Sequence, residues 1–141
     1  MAVEIQLSES ATETERLGIL NPLLAYNLAN GGDDAYETFA LLLRDPDSDE
    51  VIGGLHGKIS YRWLFIELVS VPESMRGQGI GERLMYMAED VAQKKHCIGI
   101  WLETHSFQAP DFYKKLGYSE FGRLDDYPPG HIRHYYQKSL C

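Results

Sequence analysis

The chain has 141 residues, of which 44% are apolar, 24% charged and 11% aromatic; this suits one domain spanning 1–141, with a core large enough to fold without disulfides or a structural metal. Its formal net charge of −8 argues against non-specific binding to a nucleic-acid backbone, which asks for a basic stripe. No apolar run approaches the ~18–20 residues of a membrane span, and the opening "MAVEIQLSES" lacks the basic start and apolar stretch of a signal peptide, so the expectation is a cytoplasmic protein with neither membrane nor nucleic acid as partner.

In chain order, "VEIQL" (3–7) alternates as a short strand. "SESATETERL" supplies cap residues followed by acids; Ser10 with Glu13, and Thr12 with Glu15, have capping-box spacing, so a helix starts here. Pro22 is expected to interrupt or restart it before "PLLAYNLAN" carries it to Gly31 and Gly32. "YETFALLLRD" (36–45) and "VIGGLHGKISY" (51–61) read as the arms of a hairpin around the turn chemistry of "DPDSDE". "WLFIELVSV" (63–71) is nearly continuous, as suits a central strand covered on both faces. After a glycine segment, Ile80, Leu84, Met87, Ala88 and Val91 mark the apolar face of a helix, with Lys94 and Lys95 at its negative end.

"CIGIWLETH" (97–105) is another strand. Ser106 is expected to cap a second helix, "FQAPDFYKKL", with Gly117 at its C-terminal end. "YSEFGRL" (118–124) and "IRHYYQKSL" (132–140) finish as strands. Cys97 and Cys141 match no zinc spacing and make no disulfide framework; both read as free thiols, and no metal is expected. The order predicts a mixed α/β (α+β) chain with a largely antiparallel sheet, its first long crossover joining two parallel strands. The aromatic-rich last strand reads as an edge through which two copies could pair as a homodimer.

The segment "SVPESMRGQGIGERLMYMAE" (70–89) places three glycines within positions 77–81, directly behind Arg76. Glycine lets backbone amides approach a ligand closely, and a helix N-terminus offers unpaired N–H groups with a partial positive charge. Together they make an anion site, with phosphate as the usual guest; the alternative is a tight turn that needs glycine for geometry alone. The nucleotide triphosphate loop is excluded, because no Gly-Lys-Ser/Thr follows. The dinucleotide fingerprint G-x-G-x-x-G fits poorly, because the spacing here is G-x-G-x-G and several strands precede it.

The same segment resembles the acetyl-coenzyme A signature of the GNAT superfamily of N-acetyltransferases: Arg or Gln, two residues, Gly, one residue, then Gly or Ala, here Arg76, Gly79 and Gly81. Downstream, "SFQAPDFYKKLGYSEFG" is similar to the family segment in which an alanine, here Ala109, precedes a Phe-Tyr pair, here Phe112 and Tyr113. The order of strands and helices agrees over nearly the whole chain. The resemblance implies a GNAT-like central sheet with a strand-loop-helix pyrophosphate site, and direct transfer of acetyl from acetyl-coenzyme A to an amine. It implies that Arg76, Gly77, Gln78, Gly79, Ile80 and Gly81 cradle the pyrophosphate by backbone amides, and that Leu68, Val69, Ser70 and Val71 place and polarise the thioester. Where the family often has Asn to orient the cofactor, this chain has Gln108.

A lysine-like amine has a pKa of ~10.4 and must lose a proton before it attacks. Glu67, Glu103 and His105 are the candidate bases, with Glu67 placed by alternation on the face of Val69 and Val71; each also fits an ordinary structural role. The resemblance puts Tyr113 near the sulfur, where a phenol of pKa ~10 can protonate the departing thiolate. The acidic balance leans towards a small cationic amine as acceptor. A protein Lys or N-terminal acetyltransferase, and a non-catalytic acyl-coenzyme A-binding domain, remain as other readings.

Overall fold

The computed structural model describes residues 2–140, so Cys141 and its expected thiol lie outside the described residues. The chain divides into two compact units, one up to Asp34 and one from Ala35 onward.

The first unit is built around α1, Glu13–Gly31. Of the two capping-box spacings, the Thr12–Glu15 pair forms: Thr12 Oγ1 accepts the Glu15 N–H at 3.1 Å, and Glu15 Oε1 accepts the Thr12 N–H at 2.8 Å. The helix runs unbroken through Pro22 and stops where Gly32 turns to a φ of 80°, contrary to the expected interruption. The missing proline N–H removes one backbone bond to Gly18, and the strong helix formers on either side outweigh that loss. The expected strand at 3–7 is absent; alternation over five residues becomes a ladder only with a partner strand, and the local sequence does not supply one.

The second unit is a six-stranded sheet of β1 (Glu37–Arg44), β2 (Val51–Ser60), β3 (Trp63–Ser70), β4 (Gly99–His105), β5 (Ser119–Asp125) and β6 (Ile132–Ser139), with α2 (Ile80–Lys94) and α3 (Pro110–Lys115). The spatial order is β1-β2-β3-β4-β6-β5. Among the described residues only the β3–β4 pair is parallel, and α2 is its crossover. β6 is therefore interior, paired with β4 on one side and β5 on the other, not the edge expected from its sequence, which sets its faces but not its lateral neighbours; β1 and β5 are the edges.

Leu64, Ile100, Leu102, Met85 and Tyr136 are fully buried at the centre. The buried stripe of α2 is Leu84, Met85, Ala88, Glu89 and Ala92, so Met87, expected inside, is half exposed. Apolar residues recur around more than half of this helix, and the sheet selects which of them it covers. Glu89 is tolerated inside because Lys138 Nζ lies 2.7 Å from its Oε1 and the Tyr118 hydroxyl donates to it at 3.2 Å. Lys138 also donates to Leu116 O at 2.9 Å, tying α2 and β6 to the end of α3.

Candidate active site

The site begins where the parallel ladder stops. β3 and β4 pair from Trp63↔Gly99 to Ile66↔Leu102 and no further, although β3 stays on β2 as far as Ser70 and β4 stays on β6 as far as His105. Beyond Ile66 the two strands part. Backbone groups of residues 67–71 that point away from β2 then face a gap rather than a neighbouring strand, so their hydrogen bonds must be made to something else. The gap opens into a cleft of about 780 Å³. Of the residues singled out above, Glu67, Leu68, Val69, Ser70, Val71, Arg76, Gly77, Gly79, Ile80, Gly81, Gln108, Ala109, Phe112 and Tyr113 line it; Gln78 does not.

One end of the cleft is the start of α2. Gly77 and Gly79 have φ of 78° and 73°, a backbone that side chains resist, and a Cβ on either would meet no protein atom within 4 Å. The loop is thus bare towards the cleft, and the first N–H groups of α2 have no carbonyl one turn back. Arg76 differs from its expected part in the cradle. Its N–H is spent on Glu73 O at 3.2 Å and its Nε on Val71 O at 3.3 Å, so the amides open to a ligand begin after it. Gly81 faces α3: a Cβ there would sit 3.4 Å from Phe112 Cζ, an ordinary contact distance.

Glu67 sits at a β-bulge. Gly57 pairs with Ile66 and His56 with Leu68, so Glu67 has no opposite residue. A bulge inserts one residue and reverses the alternation beyond it. Leu64 and Ile66 enter the core before it, and Val69 and Val71 pack against the core after it. Glu67 therefore keeps the phase of Phe65 and does not share the face of Val69 and Val71, as simple alternation had suggested. Lys58 Nζ lies 2.5 Å from one of its oxygens, and His56 Nδ1 lies 3.1 Å from the other. The Lys58 hydrogen bond holds the Glu67 carboxyl below its ordinary value of 4.5, so it is a carboxylate at neutral pH.

Glu103 also lines the cleft but is ion-paired with Arg133. His105 is outside the lining. Its Nδ1 lies 3.0 Å from Tyr127 O; a carbonyl only accepts, so Nδ1 carries the hydrogen and Nε2 the lone pair of the neutral ring. Ser106 does not cap α3, whose N-cap is Ala109. Its hydroxyl instead accepts the Ile132 N–H at 3.0 Å, because the loop to β6 comes closer than the helix start. Gln108 Oε1 accepts from the His105 N–H at 2.8 Å and from Thr104 Oγ1 at 3.1 Å. That fixes the amide and leaves its nitrogen as the group it can offer the cleft.

Tyr113 lies beside Phe112, Tyr118 and Tyr136, with ring centroids 5.1, 6.2 and 6.4 Å away. Burial pushes its phenol above the ordinary 10.0, so it keeps its proton across the neutral range. Sequence reasoning missed Lys58, His56 and Arg133, the partners of the two cleft carboxylates. Their alternation on β2 and β6 was visible, but the register that brings them to Glu67 and Glu103 was not.

The acetyltransferase (GNAT) family model matches residues 6–118. An acetyltransferase of Agrobacterium fabrum is 38% identical over 118 residues, covering 84% of this chain and 85% of that protein. A blasticidin-S acetyltransferase of Streptomyces morookaense is 39% identical over 108 residues, 76% of each chain. Among solved structures, a protein assigned as an acetyltransferase from Agrobacterium tumefaciens superposes with a TM-score of 0.92 at 34% identity, over 98% of this chain and 100% of that one.

Proposed function

The chain belongs to the acetyltransferase (GNAT) family and is an acetyl-coenzyme A-dependent acyltransferase, and from that premise we propose that it acetylates the primary amine of a small cationic molecule. One observation carries the reading: a helix N-terminus bare of side chains, a carboxylate that is charged at neutral pH and a proton-bearing phenol all line one cleft, which opens where β3 and β4 part. Acetyl-coenzyme A supplies the activated thioester when bound. The amides of residues 77–81 hold its pyrophosphate by hydrogen bonds and the helix dipole. A backbone N–H among residues 68–71 that points away from β2 aims at the oxygen on which charge develops, and one such donor is worth several kcal/mol, roughly 3.

Glu67 takes the amine proton. A carboxylate clamped by Lys58 is a weak base and holds that proton only transiently, with His56 Nδ1 3.1 Å from its other oxygen. Glu103 is ion-paired as well, with Arg133; Glu67 is preferred as the base because it lies on β3, next to residues 68–71 that place the thioester. Tyr113 donates its hydroxyl proton to the departing thiolate. A small-molecule acceptor is supported by the relative named for blasticidin S, and a cationic one by the charged Glu67 and the net charge of −8.

Thermal melting with acetyl-coenzyme A, followed by a thiol-release assay over an amine panel, tests this. A ligand that binds only the folded state raises the melting temperature. A rise with acetyl-coenzyme A but not with ATP or NAD, and thiol release with cationic amines, is expected. No rise overturns the cradle. A rise with no release from any amine overturns the acceptor.

A further inference from the structure

Behind Phe107, which lines the cleft beyond the end of β4, runs a column of stacked groups that the chemistry above does not use. The Phe107 ring lies on the His105 ring at 4.9 Å and 15°, and the His105 ring lies on that of Tyr127 at 5.6 Å and 17°. The Arg133 guanidinium carbon sits 4.6 Å from the centre of the Tyr127 ring, and Arg133 in turn holds Glu103. His131 meets the edge of Phe107 at 5.1 Å and 77°. The two loops that carry these rings are pinned together by the Ser106 N–H on Ile132 O at 2.7 Å and by the Ser106 hydroxyl, 3.2 Å from His131 Nδ1. Yet Phe107 lines the cleft and is 56% exposed.

The Phe107 ring is covered on one face by His105 and met at its edge by His131, and more than half of the residue still stays exposed. A ring fixed before binding loses little freedom when a second flat group lies on it, and offset stacking rewards a flat partner beyond the apolar area it covers. We propose that Phe107 is a stacking platform for the acceptor, and that the preferred acceptor is therefore an amine carried on a planar aromatic or heteroaromatic group. The flat body rests on Phe107 while the amine reaches towards Glu67. This rests on the amine-acetyltransferase reading and specifies its substrate class.

The test compares two acceptors of equal reach, 2-phenylethylamine and 2-cyclohexylethylamine, with the full chain and acetyl-coenzyme A. The wild type is expected to favour the phenyl amine about three- to tenfold in kcat/KM. Phe107→Leu keeps apolar bulk but removes the ring; it should abolish the preference while leaving the affinity for acetyl-coenzyme A within about twofold, and Phe107→Tyr should retain the preference. Binding of both amines, measured by saturation-transfer NMR in the presence of coenzyme A, gives the same comparison without turnover. Equal handling of the two amines by the wild type, or a preference that survives Phe107→Leu, overturns the platform. Failure of acetyl-coenzyme A to raise the melting temperature overturns the underlying acetyltransferase reading instead.

Discussion

At Tyr113 the distinction between a packing ring and an acid rests on one atom, the hydroxyl oxygen. The ring is held by Phe112, Tyr118 and Tyr136, contacts that Phe would make equally well. Burial raises the phenol's pKa, which makes the group useless as a base at neutral pH and suitable as a donor to a thiolate. Tyr113→Phe is therefore expected to lower kcat by about 100-fold, the lower range for loss of a general acid, with the dissociation constant for acetyl-coenzyme A unchanged by calorimetry. An undiminished kcat would return Tyr113 to the core. The motif around Phe112 and Tyr113 made this residue legible in the sequence, as Arg76 and Gly79 made the loop legible. The surroundings of Glu67 were not. Its phase on β3 depends on a bulge opposite Gly57, and a one-residue insertion leaves no mark in a run of apolar residues.

At the scale of elements, the legible part of the fold was what local periodicity fixes: the hairpin of β1 and β2, the crossover by α2, and the left-handed Gly117 that ends α3, with φ of 94°. What was lost depended on neighbours. β6 read as an edge because a strand's own sequence does not say what flanks it. Ser106 read as a cap because nothing local revealed that Ile132 would reach its hydroxyl first. The loop before α2 joins the two kinds of information. Gly79 is needed for its φ of 73°, and its vacant Cβ direction touches nothing in the protein. Gly79→Val therefore acts on fold and ligand separately. Strain at a left-handed position costs roughly 1–2 kcal/mol, a modest drop in melting temperature. The branched side chain also projects over the amides at the start of α2 and removes the melting-temperature rise given by acetyl-coenzyme A. A variant that melts lower but keeps the ligand-induced rise would separate these glycines from the cradle and leave them as turn formers.

For the molecule as a whole, the shifted ionisations fall into two sets that bound a plateau of stability. Glu15, Asp45, Glu67 and Glu120 all have folded pKa values below their ordinary 4.5 or 3.8, held there first by the Thr12 and Asp47 backbone N–H groups and by Lys58 and Arg123 respectively. For such groups the unfolded chain binds protons more readily, so their contribution is complete above the ordinary carboxylate value and is lost as pH falls through the folded one. Cys97, Tyr113 and Tyr136 are shifted upwards from 9.0 and 10.0, in each case first by burial. There the folded state holds its protons longer, and the contribution present below the ordinary value is lost as pH rises towards the folded one. The urea midpoint followed by circular dichroism should thus be level between about pH 5 and 8, then fall on both sides with little change in slope. Asp45→Asn removes one carboxylate remote from the cleft and should make the acid limb shallower while leaving the alkaline limb in place. A midpoint that holds level down to about pH 3 would mean that these carboxylates are paired as strongly in the unfolded chain as in the folded one. Glu67 belongs to the acid set, so within the plateau it stays charged, and a rise of kcat/KM with pH there does not report Glu67 losing a proton.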